Sequence, residues 1–285
     1  MYTLTKKDVL SRLPRRPEDA NKGTFGSVAA VAGSLAYRGA AALCVEGALR
    51  CGAGLVYLAS VEPVVQLVLT RTPECCALPC RAEADGGIAR EDAAALCERF
   101  AARPAVLLAG PGLGPAAGRV MEALLGGEPA WKAAVLDADA LNALAAKPFP
   151  LPAAAVLTPH PGEAARLLHT DVEKIQSDRE GAARALAETY GCTAVLKGAG
   201  TLIAAPGEET LKNPTGNPGL ARGGSGDVLA GMIAALLAQG LTPRDAAACG
   251  VWLHGAAADC CAARTSALTM LPHDILTFLP DVLRA

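Results

Sequence analysis

The sequence predicts an α/β protein with a mainly parallel central sheet, helices on both faces and an antiparallel hairpin at one edge. Short, continuous apolar runs alternate with stretches of helical pattern over most of the chain. This alternation is typical of parallel strands that are buried on both faces. Later in the chain, two apolar runs follow each other closely and are separated by Pro206-Gly207, which indicates a hairpin.

Each element has a sequence range of its own. The alternating strands are expected at Ser27–Ala32, Leu55–Ser60, Ala105–Ala109, Ala134–Asp137 and Ala155–Pro159. A change of pattern begins with the strand Thr193–Lys197, and the hairpin strands are expected at Thr201–Ala205 and Glu209–Asn213. The clearest helices are expected at Ala40–Arg50, Ser225–Gln239 and Pro243–Ala263, and the best candidate for a surface loop is Glu83–Ala89.

Composition limits both the architecture and the partners. The chain has 285 residues, of which 52% are hydrophobic and 4% aromatic, so we expect one domain over residues 1–285. The formal net charge is -2 with both signs mixed along the chain, which argues against a nucleic-acid or membrane surface. The charged N-terminus has no apolar core, so no signal peptide is expected. Apolar stretches such as Val228–Ala238 are too short to span a membrane. These features indicate a cytoplasmic protein.

The chain contains ten cysteines, whose spacing is irregular and includes no Cys-x-x-Cys pair. Zinc sites need paired spacings, so we expect buried, reduced thiols that act as small hydrophobic side chains. The positions are Cys44, Cys51, Cys75, Cys76, Cys80, Cys97, Cys192, Cys249, Cys260 and Cys261.

The strongest chemical signal is the segment Asn213–Gly231, which reads NPTGNPGLARGGSGDVLAG. A glycine-rich loop lets backbone N–H groups approach phosphate oxygens, and the following helix adds the positive end of its dipole. Asp227 would also suit an ordinary first helical turn, but that role does not explain the glycines. A carboxylate beside an anion hole fits phosphoryl transfer to a hydroxyl, because the carboxylate takes the hydroxyl proton.

The segment Gly224-Ser225-Gly226-Asp227 resembles the Gly-x-Gly-Asp helix start of the ribokinase-like superfamily, whose Asp is the catalytic base. The longer segment resembles the ADP/ATP-dependent NAD(P)H-hydrate dehydratases, which usually have Thr at the position of Ser225. Further segments resemble this family in the same order along the chain. They are Lys22–Gly26, Gly33–Ala41, Gly110–Gly114, Asp137–Asn142, Thr158–Glu163 and Lys197–Thr201. One glycine motif alone is weak, but an ordered set is specific.

The resemblance implies a lyase that repairs hydrated NADH and NADPH. The S-epimer of NADHX or NADPHX would be phosphorylated by ADP or ATP and would then lose phosphate, with Mg²⁺ bridging the nucleotide phosphates. The resemblance assigns the substrate to Ala40, Gly112, His160 and Asp227, with Asp227 as the catalytic base. It assigns the nucleotide to Lys197, Gly198, Ala199, Gly200, Thr201, Gly223, Gly224, Ser225 and Gly226.

The resemblance also implies partners. The family commonly forms tetramers, so a homotetramer is expected. Many members carry an epimerase domain on the same chain, and there is no room for one before Lys22. We therefore expect any epimerase to be a separate protein.

Several of these residues have structural alternatives that the sequence leaves open. His160 would also serve as a turn residue that caps the next helix. Glu163 would suit the first turn of that helix or hold Mg²⁺ through water, and the metal ligands stay unassigned. Asp137 and Asp139 would either hold Mg²⁺ or cap the following helix. Lys197 would either meet a phosphate or lie in solvent at the end of its strand.

Two other functions compete with the dehydratase. A small-molecule kinase of the same fold, such as a hydroxyethylthiazole or sugar kinase, would use the same glycine loop but yield a stable phosphate ester. The segments Pro159–Glu163 and Gly110–Gly114 argue against it. A non-catalytic nucleotide-binding sensor would not need the carboxylate of Asp227 beside an intact glycine loop.

Overall fold

Ten strands form one sheet in the computed structural model, which describes residues 1–127 and 130–284. The strands are β1 (Tyr2–Thr3), β2 (Ser27–Val31), β3 (Leu55–Val61), β4 (Cys76–Cys80), β5 (Val106–Ala109), β6 (Ala133–Leu136), β7 (Ala155–Leu157), β8 (Thr193–Leu196), β9 (Leu202–Ala204) and β10 (Leu211–Lys212). Their order across the sheet is β1-β10-β9-β8-β7-β6-β5-β2-β3-β4.

Helices connect most of these strands. They are α1 (Lys6–Arg12), α2 (Arg38–Arg50), α3 (Glu62–Arg71), α4 (Arg90–Ala101), α5 (Ala117–Leu125), α6 (Asp139–Ala146), α7 (Pro161–Leu167), α8 (Val172–Ser177), α9 (Arg179–Tyr190), α10 (Ser225–Ala238), α11 (Pro243–Arg264) and α12 (Leu279–Arg284). None of those in the described part of the chain is long and apolar enough to cross a membrane.

The strand directions confirm the predicted fold class. Strands β2 to β8 all run parallel to one another, whereas β9 is antiparallel to both β8 and β10. Strand β1 adds a short parallel partner beyond the hairpin. Strand β4 forms the opposite edge of the sheet. Hydrophobic periodicity gives no signal for either edge strand, because β1 has two residues and β4 is interrupted by Pro79.

The helices form two layers around the sheet. In one layer the helices contact in the order α3, α2, α10, α11. In the other layer the order of contact is α4, α5, α6, α7. Strands β5 and β6 are fully buried between them. The predicted surface loop at 83–89 is exposed only over its first residues, because Gly86 to Ala89 are buried beneath neighbouring segments.

Two glycines let α2 and α10 pack closely. A Cβ on Gly47 of α2 would lie 2.6 Å from the carbonyl oxygen of Val228, and a Cβ on Gly231 of α10 would lie 3.0 Å from the backbone nitrogen of Ala48. Neither site has room for a side chain. This contact fixes the start of α10 beside the sheet, and the candidate site is built at that start.

Candidate active site

The phosphate loop, residues 213–226, leads into α10 and leaves the start of that helix uncapped. The N-cap Gly224 has a φ of 97°, in the left-handed region that favours glycine. No side chain of the described residues accepts a hydrogen bond at this helix start. The amides of Gly226 and Asp227 have no acceptor within the described residues, as is usual for a first turn. They are available to an anion where the helix dipole favours negative charge.

A buried cluster of charges contacts this helix start, and we call Asp137, Glu163, Lys197 and Asp227 the charge cluster. Lys197 Nζ lies 2.6 Å from Asp137 Oδ1 and 3.8 Å from Glu163 Oε2. A Cβ on Gly226 would lie 3.3 Å from Lys197 Nζ and 3.4 Å from Asp137 Oδ2. The cluster and the phosphate loop therefore form one site.

Crowding of like charges in this site perturbs its acids. Burial, followed by repulsion from Asp137, raises the pKa of Asp227 to about 7. Burial also raises the pKa of Glu163 to about 7, against the attraction of Lys197. Burial alone would lower the pKa of Lys197, but the charges of Asp137 and Glu163 outweigh it and raise that pKa. A carboxyl group with a pKa near neutrality is suited to accept a proton during catalysis.

The structure gives a partner to two of these residues. The Lys197 ammonium is paired with Asp137 at 2.6 Å and is only partly exposed, so Lys197 is not a freely solvated strand-end residue. Asp139 accepts a hydrogen bond of 2.8 Å from the backbone nitrogen of Gly114, so it holds the Gly110–Gly114 turn in place. Asp137 and Glu163 are distant in sequence from Lys197, and the parallel order of β6, β7 and β8 brings them together.

His160 caps helix α7, as its structural alternative predicts. Its Nδ1 accepts hydrogen bonds from the backbone nitrogens of Gly162 at 3.0 Å and Glu163 at 3.3 Å. The Glu163 carboxylate in turn accepts from the backbone nitrogen of His160 at 2.8 Å. Burial and the nearby charge of Lys197 lower the imidazole pKa, so the ring is neutral near pH 7. The side chain is half exposed, so part of the imidazole still faces outward.

Gly112 and Ala40, both predicted to contact substrate, lie side by side. Gly112 has a φ of 65°, and a Cβ there would lie 2.8 Å from the Tyr37 carbonyl oxygen and 3.0 Å from the Ala40 Cβ. Packing against the chain itself therefore requires glycine at this position, whatever ligand binds nearby. Substitutions of Gly112 would test folding as well as binding.

The same corner contains two residues that sequence reasoning missed. Ser34 is buried and its Oγ has no hydrogen-bond partner in the described part of the chain, whereas the Tyr37 side chain is largely exposed. A Cβ on Gly114 would lie 3.7 Å from both Ser34 Oγ and Tyr37 Cε2. Both residues lie in the Gly33–Ala41 segment, so the motif contained the signal.

The remaining predicted nucleotide residues form the turn after β8. Gly198 and Ala199 are exposed, and Thr201 Oγ1 donates a hydrogen bond of 2.9 Å to the Gly198 carbonyl oxygen. Arg179, which the sequence did not single out, donates to the Lys197 carbonyl oxygen at 3.3 Å. The Lys197 side chain points into the charge cluster and away from this turn, so the predicted nucleotide residues form two surfaces.

A buried histidine lies behind the phosphate loop. His254 of α11 is enclosed, its Nε2 has no partner among the described residues, and burial lowers its pKa to about 4. It therefore stays neutral near pH 7. The hydroxyl of Ser225 is also buried without a partner in residues 1–127 and 130–284. Buried polar atoms without partners are rare, and two of those in the described residues, on Ser225 and His254, lie beside this loop.

Comparisons with known sequences identify the family of this chain. A sequence model of the NAD(P)H-hydrate dehydratase family matches residues 28–281. The chain is 45% identical over 279 residues to a bifunctional NAD(P)H-hydrate repair enzyme of Moorella thermoacetica, covering 96% of this chain and 52% of that protein. It is 42% identical over 250 residues to an ADP-dependent (S)-NAD(P)H-hydrate dehydratase of Neisseria meningitidis, covering 86% of this chain and 80% of that protein.

Solved structures with a similar fold come from the same family and superfamily. An ADP/ATP-dependent NAD(P)H-hydrate dehydratase of Bacillus subtilis, co-crystallised with ATP/Mg²⁺, matches with a TM-score of 0.84 at 32% identity, covering 99% of this chain and 98% of that one. A ribokinase-like superfamily protein of Enterococcus faecalis matches with a TM-score of 0.86 at 30% identity, covering 99% and 95%.

The sheet order, the uncapped helix start and the charge cluster define a ribokinase-like α/β protein. Within that class, the chain belongs to the NAD(P)H-hydrate dehydratase family, which confirms the resemblance that the sequence motifs indicated. It spans about half the length of the bifunctional relative from Moorella.

Proposed function

We propose that this protein dehydrates the S-epimer of NADHX or NADPHX to NADH or NADPH at the expense of ADP or ATP. The observation that carries the proposal is Asp227, a carboxyl group with a pKa of about 7 beside free helix amides. Family membership supports the substrate, because the relatives and solved structures are named as NAD(P)H-hydrate dehydratases.

Phosphorylation makes chemical sense of this site, because hydroxide is a poor leaving group and phosphate a good one. Asp227 takes the proton of the substrate hydroxyl, and the hydroxyl oxygen forms a bond to the terminal phosphorus of the nucleotide. The bond from that phosphorus to the bridging oxygen breaks, so ADP leaves as AMP, or ATP as ADP. The amides at Gly223–Gly226 stabilise the charge on the transferred phosphoryl group.

Elimination follows from the electron pair of the ring nitrogen. This pair forms a double bond to the carbon that bears the phosphate, and the carbon–oxygen bond breaks with departure of phosphate. Loss of a proton from the adjacent ring carbon then restores the dihydronicotinamide. One hydrate and one ADP thus yield one NADH, one AMP and one phosphate.

We assign the two ligands to different parts of the site. The hydrated dinucleotide would lie against Ala40, Gly112 and His160, where a neutral imidazole and an exposed aromatic ring face outward. The adenine nucleotide would occupy the turn Lys197–Thr201 and the glycines Gly223–Gly226. Asp227 would act between the two parts, as a base for transfer from one ligand to the other must.

Mg²⁺ fits the donors beside the phosphate loop. It usually combines one or two carboxylates with the phosphates of its substrate. Asp137 and Glu163 offer carboxylate oxygens and share the Lys197 ammonium, which leaves net negative charge. Residues 1–127 and 130–284 contain no group of three or more His, Cys, Asp or Glu side chains placed to hold a metal. When bound, Mg²⁺ would neutralise charge on the nucleotide phosphates.

The proposal extends to the assembly and its setting. The family resemblance supports a homotetramer that acts in the cytoplasm and works alongside a separate epimerase. Nothing in the charge pattern favours a nucleic-acid or membrane partner.

One assay tests the function. The protein is mixed with ADP or ATP, Mg²⁺ and purified S-NADHX, and absorbance is followed at the NADH band. We expect NADH to form only when nucleotide is present. Formation of a stable phosphate ester of a small alcohol, with no NADH, would instead identify a kinase. Nucleotide binding without turnover of S-NADHX or of a small alcohol would identify a sensor.

A further inference from the structure

Helix α11 forms the back wall of the phosphate loop through residues on one face. Trp252, Gly255 and Asp259 follow each other at spacings of three and four residues, which places them on the same side of a helix. Each of them contacts the segment Thr215–Asn217. Sequence motifs for phosphate binding do not extend to this helix, so its contribution emerges only from the structure.

The contact is close and leaves no space for adjustment. Thr215 Oγ1 lies 2.9 Å from the Trp252 carbonyl oxygen. A Cβ on Gly255 would lie 2.7 Å from the Thr215 carbonyl carbon, so α11 touches the loop backbone directly. The loop backbone is thereby held at one point against a rigid, buried helix.

Asp259 of α11 accepts two hydrogen bonds from the loop. Its Oδ2 accepts a hydrogen bond of 2.9 Å from the backbone nitrogen of Gly216, and its Oδ1 accepts one of 3.0 Å from Asn217 Nδ2. Asn217 Oδ1 then accepts from the backbone nitrogen of Gly219 at 2.9 Å. Gly216 has a φ of 105°, which glycine adopts without a steric penalty and which lets the loop turn at this point. A chain of oriented hydrogen bonds therefore runs from α11 through the first half of the loop.

We propose that Asp259 is a positioning residue for phosphoryl transfer, a role that rests on the proposed function of the loop. Asp259 turns the donors of Gly216 and Asn217 towards α11. The amides near Gly226 then remain for the transferred phosphoryl group. Small displacements of catalytic groups have large effects on rate, and shells of hydrogen bonds prevent them.

The test begins with Asp259→Asn, which keeps the size of the side chain. The new side-chain amide still accepts from the Gly216 backbone nitrogen, but it presents an NH₂ group to the NH₂ group of Asn217. We expect the KM for ADP to rise about tenfold and kcat to fall about 10- to 100-fold, with the KM for the hydrate unchanged. The matched control is Asp281→Asn, which removes an exposed carboxylate paired with Arg264. It should leave kcat and both KM values unchanged.

The double variant Asp259→Asn with Asn217→Asp tests whether the hydrogen bond itself is responsible, because it restores a donor opposite an acceptor, and we expect it to recover much of the lost kcat. The KM values separate positioning from general loss of stability. A merely structural role would lower only the active fraction, so both KM values of Asp259→Asn would equal those of wild type. That result would overturn the proposal.

A binding measurement keeps this inference separate from the proposed function. Calorimetric titration of ADP needs no turnover, and we expect Asp259→Asn to bind ADP about tenfold more weakly than wild type. Absence of turnover in wild type would reject the dehydratase function but leave this comparison intact. Equal ADP affinity of wild type and variant would reject the positioning role alone.

Discussion

The proposed chemistry depends on Asp227. It is held at the first turn of α10 beside Gly226, and its neighbours in the charge cluster include two further carboxylates. In an ordinary first turn, an acid would gain from the helix dipole and keep a low pKa. Here burial and repulsion outweigh the dipole, so the carboxyl group is kept in a state that favours taking up a proton.

Replacement of Asp227 by Asn tests its role as base. The amide keeps the size of the side chain but cannot take a proton, so we expect turnover to fall about 10²- to 10⁴-fold. ADP binding should change far less, because the loop amides remain. Steady-state kinetics and calorimetry measure the two effects. Wild-type turnover in Asp227→Asn would contradict the mechanism.

The same substitution should stabilise the protein at alkaline pH. The folded-state pKa of Asp227 is raised to about 7, so the folded form binds this proton more readily than the unfolded chain. Stability from this group is therefore fully present at low pH and is lost as the pH rises through about 7. At pH 8 we expect the free energy of unfolding of Asp227→Asn to exceed that of wild type by about 1–2 kcal/mol.

Thermal unfolding across pH measures this difference. The gap between variant and wild type should close as the pH falls towards about 4, the ordinary pKa of an aspartate in an unfolded chain. Asp281→Asn, at an exposed carboxylate paired with Arg264, is the control for the substitution itself. A pH-independent gap would mean that the pKa of Asp227 is not raised.

At the scale of elements, His160 of helix α7 has an observed role and a proposed one. It caps the helix through Nδ1, its Nε2 lies 3.3 Å from Glu163 Oε1, and the half-exposed ring is proposed to contact the substrate. A substitution that removes both roles cannot separate them. Asn is among the best N-cap residues and lacks the imidazole, so it offers the matched comparison.

We expect His160→Ala and His160→Asn to raise the KM for the hydrate alike, by about tenfold if a buried partner is left unpaired. Only the Ala variant should lose stability, by about 1 kcal/mol, because it loses the cap. ADP affinity should change in neither. If His160→Asn keeps the wild-type KM while His160→Ala does not, His160 is a cap and no substrate ligand.

Elements with strong patterns were predictable from sequence, and short ones were not. The predicted helix at 225–239 corresponds to α10 within one residue, because its apolar run follows a glycine-rich loop directly. Strands β1 and β4 escaped prediction because a strand of two residues, or an edge strand interrupted by Pro79, has no periodicity to detect.

The charge cluster shows the limit of sequence for the site. Asp137, Glu163 and Lys197 each follow a different strand, and each alone suggests an ordinary capping or strand-end residue. Only the adjacency of β6, β7 and β8 in the sheet brings both carboxylates within 4 Å of the Lys197 ammonium. Ligands lie at this edge in open α/β sheets, so the location was predictable although the pairing was not.

The whole molecule is stabilised by a core of small aliphatic side chains, in which cysteines take part as hydrophobic residues. All ten cysteines are free thiols. Six are buried as predicted, but the prediction of burial was wrong for Cys51, Cys76, Cys97 and Cys260, which are partly exposed. Burial raises the pKa of Cys75 and Cys192 to about 12. Thiols with such pKa values rarely form the thiolate that metal binding and disulfide exchange need.

We therefore expect the protein to fold without zinc and without a disulfide. Elemental analysis of the purified protein should find no stoichiometric zinc, and its thermal unfolding should be the same with and without mild reductant. A sample purified throughout under reductant is the matched control for oxidation by air. Unfolding caused by reductant alone would contradict the assignment.

The fate of the substrate oxygen tests the central claim most directly. Hydrate is prepared with a heavy-oxygen label in its hydroxyl group and is converted by the enzyme with unlabelled ADP in unlabelled water. Phosphorylation of the hydroxyl before elimination predicts that the label leaves in inorganic phosphate, one labelled oxygen per NADH formed. Label recovered in water, with unlabelled phosphate, would show direct dehydration and contradict transfer of the phosphoryl group to the hydroxyl beside Asp227.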